Sequence, residues 1–336
     1  MPDPKIDEGF FSARDGLRLF RHGAQPVGTP VADVAVLHGY AEHLGRHEEV
    51  TRALCGAGYA VHLFDCRGHG QSGGKRAHVD SFDEYLQDLD VFLARVREEA
   101  HGRPLFFLGH SHGALIGIRY LLDRPDAVRG AVFSSPYLRL KLRVSPVKIL
   151  AGRLIAHVLP SLPMRNELKP EQLTRDVAIQ NATRTDPLYQ QIATPRWFTE
   201  SSSAQETCLR RATEFVTPFL VLTGGADPIA DPAAGREFFD HATSKDKQHK
   251  RYDGLLHELF HEPERDLVFR DLIGWLDERT FIAAGASGHG VMHAPATGKL
   301  TSDLILSGTS QVISDPRAFA FERFAEGRAI HETAVL

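Results

Sequence analysis

Gly109-His110-Ser111-His112-Gly113 spells G-x-S-x-G. It follows the apolar run Pro104 to His110 directly and leads into a helical pattern from about Ser111 to Leu122. A serine in so sharp a strand-to-helix turn is pushed clear of a sheet, where it can attack an acyl carbonyl. The flanking glycines remove side-chain clashes, and N–H groups at the helix start can hold an oxyanion.

A serine needs a base, and around this turn the chain order is serine, then acid, then histidine. Thr223-Gly224-Gly225-Ala226-Asp227 puts Asp227 just past a later apolar run. Asp253-Gly254-Leu255-Leu256-His257 puts His257 just past the next one. Both are strand-end positions, where ligands and catalytic groups gather in parallel sheets. His257 would take the Ser111 proton, and Asp227 would orient and stabilise the imidazole. His38-Gly39-Tyr40 follows an earlier strand, so the Tyr40 N–H would pair with the His112 N–H as oxyanion donors. The alternatives are structural: a turn aspartate before Pro228, a helix-start histidine and a strand-ending His-Gly.

These residues need a scaffold. FFSARDGLRLFRHG reads as a hairpin turning at Asp15-Gly16. Strands are expected at Val31–Gly39, Tyr59–Asp65, Pro104–His110 and Gly130–Ser134, alternating with helices. The Phe82–Ala100 segment carries a 3.6-residue apolar period. Such alternation implies a mostly parallel sheet flanked by helices, an α/β class. From about 138 to 213 the pattern is helical with no clear strand. It resumes with a strand at Phe219–Thr223, a helix near Ala233–Ala242, a weaker strand in KQHKRYDG and a last helix from about Pro263 to Arg279.

Taken together, HGYAEHLGRH, DCRGHGQSGG, GHSHG, GGADP and DGLLHELFHEP resemble the α/β-hydrolase superfamily. The likeness is to its monoacylglycerol lipase, lysophospholipase and S33-type serine hydrolase group, over roughly residues 10–280. The resemblance implies an α/β-hydrolase fold with an inserted helical cap, and cleavage of fatty acyl esters through an acyl-enzyme. It implies Ser111 as nucleophile, Asp227 as acid and His257 as base, with Tyr40 and His112 giving oxyanion N–H groups. The chain then divides into core at 1–137, cap or lid at 138–213, core at 214–280 and a Gly/Ala-rich extension at 281–336 without an assigned role. A short helical pattern near 316–327 lies in that extension. His112 stands where the group usually has Met, and Ala114 where it often has Gly; both are compatible with the turn. An imidazole beside the nucleophile could alter substrate preference or pH response.

Two other motifs compete. His257-Glu258-Leu259-Phe260-His261 matches H-E-x-x-H, but a helix would only be starting there and no third-ligand extension follows, so no metal is expected. His261 reads as a surface or supporting histidine. Gly68-His69-Gly70-Gln71-Ser72-Gly73 matches G-x-G-x-x-G without an immediate helix and outside the first βα unit, so it reads as a structural turn. Tyr137, just past a strand end, is a candidate substrate-binding residue, with packing as the alternative. The cap stretch Val144–Pro163 mixes an apolar face with Lys148 and Arg153, as a lid touching lipid or a cap helix packed on the body would.

Composition narrows the classes. With 39 Lys+Arg against 43 Asp+Glu, a dedicated nucleic-acid partner is not expected. No apolar run reaches a transmembrane length, and the N-terminus lacks an apolar signal core. The scattered Cys55, Cys66 and Cys208 suggest reduced thiols. The expected partner is a small acyl ester, with peripheral lipid contact through the cap, no cofactor, and a setting in the cytoplasm or peripheral to a membrane. Rival readings are an S33-like aminopeptidase, a short-chain carboxylesterase and a non-catalytic binding protein on the same fold.

Overall fold

The first hairpin pairs β1 (Lys5–Ser12) with β2 (Arg18–Gln25), antiparallel along their whole length. Gly16 turns the chain at φ 83° beside Asp15, whose Oδ1 accepts from the Leu17 N–H. β1 begins five residues before the apolar run suggests, because Lys5 to Glu8 form an exposed edge with no buried face to show in the sequence. The structure, a computed structural model, describes residues 4–141, 155–166 and 168–284.

The next strands are β3 (Ala32–Leu37), β4 (Tyr59–Phe64), β5 (Leu105–His110) and β6 (Gly130–Ser134), all buried throughout. Between them run α1 (Glu48–Gly56), α2 (Phe82–Ala100) and α3 (His112–Asp123). The segment after β6 contains β7 (Met164–Arg165), α4 (Pro170–Leu173), α5 (Val177–Thr185), β8 (Ile192–Ala193) and α6 (Pro195–Arg210). Then follow β9 (Phe219–Gly224), α7 (Pro232–His241), β10 (Lys247–Tyr252) and α8 (Arg265–Ala284).

Eight strands form one sheet in the order β1-β2-β4-β3-β5-β6-β9-β10. From β4 to β10 neighbouring strands are parallel, and β2 joins β4 antiparallel. β7 and β8 pair separately as a two-residue antiparallel ladder, where the sequence shows no strand. Two residues per strand are too short to express a period, and both residues of β7 are exposed.

Side chains alternate across the sheet as the two-residue strand period requires. Leu37, Phe64, Phe107, Phe133 and Val221 face one layer, with residues of α2, α3, α6 and α7. Their neighbours Val36, Leu63, Phe106, Val132 and Leu220 face the other, with α1 and α8. The described residues up to Arg279 form one compact unit. The helical pattern near 316–327 lies outside the described residues, as does most of the Val144–Pro163 stretch. Among the described residues no helix is long and apolar enough to cross a membrane. Cys55, Cys66 and Cys208 are buried free thiols.

Phe219 is fully buried, with its ring edge-on to those of Phe215 and Phe238. Phe219→Ala should therefore lower unfolding stability by about 3–5 kcal/mol. A urea transition shows this as a lower midpoint with the slope unchanged.

Candidate active site

Ser111 sits between β5 and α3 at φ 51° and ψ −111°. A non-glycine residue held there stores roughly 1–3 kcal/mol and persists only when its surroundings over-determine it. They do. The Ser111 N–H donates to Ser134 O at 2.9 Å, and Ser111 O accepts from Leu115 N and Tyr137 N, both at 3.1 Å. The glycines make the approach possible. A Cβ on Gly109 would lie 2.7 Å from the Ala114 backbone, and one on Gly113 would lie 2.3 Å from Leu37 O. The helical pattern starts one residue later than Ser111, because this backbone cannot begin a helix.

The structure brings the three distant candidates together. His257 Nε2 lies 2.9 Å from Ser111 Oγ, and His257 Nδ1 lies 2.7 Å from Asp227 Oδ2. An Nδ1–H donating to Asp227 leaves Nε2 free to accept from the serine hydroxyl. The other carboxylate oxygen of Asp227 accepts from the Ile229 and Ala230 N–H groups at 2.8 and 3.1 Å. All three residues are buried. Burial disfavours an imidazolium at His257, but the Asp227 carboxylate, with Glu258 and Glu42, outweighs it and holds the pKa above the usual 6.5.

The His38-Gly39-Tyr40 turn lies against the serine, since a Cβ on Gly39 would sit 3.1 Å from Ser111 Cβ. The Gly39 N–H is committed to Glu42 Oε1 at 2.5 Å. Among the described residues nothing accepts from the Tyr40 or His112 N–H. His38 is fixed as one tautomer: Nε2 accepts from the Cys66 N–H at 2.9 Å, so Nδ1–H donates to Gly39 O at 2.7 Å. Burial pushes its pKa down to about 4, so it is a neutral strut of this turn.

Tyr137 lies beside the serine turn through its backbone; its ring is buried in the core, and its carbonyl accepts from Gln205 Nε2 at 3.0 Å. The H-E-x-x-H motif does not form one helix. Leu259–His261 is a single 3₁₀ turn. His261 is buried, which corrects the surface reading; Nδ1 faces Glu258 at 2.7 Å and Nε2 faces Arg46 O at 2.6 Å. The G-x-G-x-x-G stretch folds onto itself and β2, with the Gly68 N–H on Gly73 O and the Gly73 N–H on Arg18 O.

Sequence reasoning passed over a buried charge cluster beside His257. Glu42 faces His47 at 3.2 Å and Arg46 at 3.4 Å, and Arg46 donates to Glu258 at 2.6 Å. Burial opposes both carboxylates. Even so, His47, His110 and Arg46 hold Glu42 well below its usual range, and Arg46 and His261 bring Glu258 to about 2. The signal lay inside HGYAEHLGRH: Glu42 and Arg46 are four apart, as partners on one turn would be.

Known proteins carry the same arrangement of chain. The family described as "Serine aminopeptidase, S33" matches residues 28–264. A monoacylglycerol lipase of Mycolicibacterium smegmatis is 31% identical over 270 residues, spanning 80% of this chain and 96% of its own. A phospholipase of Bacillus subtilis is 31% identical over 251 residues, spanning 74% of this chain and 96% of its own. The crystal structure of a Paleococcus ferrophilus monoacylglycerol lipase superposes with a TM-score of 0.71 at 32% identity, covering 78% of this chain and 99% of that one. Matched over most of its length by family, sequence and structure, the chain belongs to the α/β-hydrolase superfamily, in the S33 group alongside the monoacylglycerol lipases.

Proposed function

We propose that this protein is a serine hydrolase of carboxylic esters, acting on monoacylglycerols or lysophospholipids. The observation that carries the reading is the unbroken line of contacts from Asp227 through His257 to Ser111. Ser111 Oγ attacks the acyl carbonyl while His257 Nε2 takes its proton. The tetrahedral oxyanion is held by the N–H groups of Tyr40 and His112, each worth about 2.7–4 kcal/mol in comparable sites. Collapse breaks the bond to the alcohol, which leaves with the proton from Nε2. Water then attacks the acyl-enzyme and gives a proton to Nε2; collapse breaks the bond to Ser111 Oγ, which takes that proton back as the carboxylic acid leaves. Asp227 stays ionised and keeps the imidazole in the working tautomer.

The glycerol-ester reading is supported by two relatives named monoacylglycerol lipases, and a phospholipid-derived ester by one named a phospholipase. Lipid contact through the cap is supported by the exposure of Val158, Leu159 and Leu162 at the described end of the Val144–Pro163 stretch. Tyr137 serves the site through its backbone in this reading, tying the serine turn to the chain entering the cap. An aminopeptidase or a short-chain esterase would use the same triad, and acyl length separates the cases. Hydrolysis of monoacylglycerols and lysophospholipids is expected to persist across graded long chains. Activity confined to acetyl esters or peptides would sink the lipid assignment. A fluorophosphonate should label the wild type and fail on Ser111→Ala.

The acid limb of kcat/KM should report His257. The neutral imidazole is the active form and its pKa is raised, so activity falls as pH drops through a value above 6.5. Asp227→Asn should move this limb to lower pH and cut kcat by about 10⁴-fold. A limb that stays in place would place the base elsewhere.

A further inference from the structure

The residues given as oxyanion donors both carry large side chains, and those side chains share an anchor. Tyr40 stacks on Trp197 with ring centroids 4.0 Å apart and planes 26° apart. Its hydroxyl donates to Ile192 O and accepts from Asn166 Nδ2. The His112 ring lies 5.2 Å from the same indole, centroid to centroid, and its Nε2 meets Ser201 Oγ at 3.0 Å. Phe82 and Tyr85 close the other sides of that imidazole edge-on. His112 is buried, and burial pushes its pKa well below the usual value, so the ring is neutral and fills a wall.

Trp197 and Ser201 are four residues apart on one face of α6, the last helix of the inserted segment. α6 does not ride loosely on the body. Trp197, Ala204 and Cys208 belong to the main core, and Glu200 accepts from the Phe82 N–H at 3.0 Å. The N-cap, Thr194, donates its hydroxyl to Ala77 O at 2.9 Å. Trp197 Nε1 has no hydrogen-bond partner among the described residues, so its ring acts here through stacking. The entry to the segment is tied as well: Lys141 Nζ donates to Asp227 O at 2.7 Å, and the Lys141 N–H donates to Ile229 O at 2.8 Å.

We propose that Trp197 and Ser201 are positioning residues for the oxyanion hole. One helix of the insertion clamps the Tyr40 and His112 side chains, and so fixes the two backbone N–H groups that flank Ser111. The physical ground is that each donor is held from two sides: hydrogen bonds fix the carbonyl end of its peptide, and α6 fixes its side chain. The peptide that carries the Tyr40 N–H is held at its carbonyl end by His38 Nδ1–H on Gly39 O, and beyond it the Tyr40 side chain is locked between Trp197 and the Ile192 carbonyl. A donor displaced by a fraction of an ångström loses most of its value only in the tetrahedral state, where charge develops. This rests on the hydrolase reading above.

The test uses the full chain, a water-soluble acyl ester, and a trifluoromethyl ketone as a tetrahedral mimic. Active sites are counted by fluorophosphonate titration, so rates refer to folded enzyme alone. Trp197→Ala should lower kcat per titrated site about 10- to 100-fold, in line with small misplacement of catalytic groups, with KM nearly unchanged. Ketone affinity should weaken by the same factor, while the pH limb assigned to His257 stays put. Trp197→Phe, which keeps a stacking face, should recover most of the rate. Ser201→Ala, a milder change, should show the same pattern at about 10-fold or less. The inference is overturned if the variants match wild type per titrated site, or if KM rises while kcat and ketone affinity hold. A wild type that neither titrates nor hydrolyses the ester would overturn the hydrolase reading itself, and this inference with it.

Discussion

The structure hangs on the backbone of one residue. Ser111 is held at positive φ between a buried strand and a buried helix, and everything near it exists to keep it there. β5 must end at the middle of the sheet, so that the serine emerges where neighbouring strands also end. α3 must start without a side chain at Gly113, or it would collide with the end of β3. The hydrogen bond from Ser111 N to β6, and the two accepted by its carbonyl, tie the strained turn to three separate segments. Strain in the turn is thus balanced by the hydrogen bonds and packing around it.

Around that point the site is electrostatically closed. Asp227 and His257 descend from β9 and β10 and meet the serine at hydrogen-bond distance. A second buried layer of Glu42, Arg46, Glu258 and His261 lies alongside. Each buried charge there has a partner, as burial demands. The net effect at His257 is a pKa above its free value despite burial, which suits a base that must hold a proton briefly and return it.

Most of the sheet could be read from residue patterns, because strands buried on both faces are nearly all apolar. Phe82–Ala100 was equally legible as a helix, through its 3.6-residue apolar period. That Ser111, Asp227 and His257 meet was legible because a sharp turn, a chain order and two strand ends leave few choices. The connections across the insertion were not. Trp197 and Ser201 carry no local motif, and the stack of Trp197 on Tyr40 joins residues far apart in sequence. β7 and β8 were too short to show a period. For His261 the surface and supporting readings stayed open, because a single histidine gives no sign that a glutamate and a carbonyl enclose it. Such facts belong to tertiary packing, which one sequence expresses only in pairs.

The proposed chemistry is covalent, at Ser111, with His257 and Asp227 behind it. Intact-protein mass, taken during the first turnovers on a slowly hydrolysed acyl ester, addresses it most directly. The expected result is the mass of one acyl group added, mapped to Ser111 after digestion, and lost as free acid accumulates. Ester turnover at full rate with no acyl group on Ser111 would contradict it.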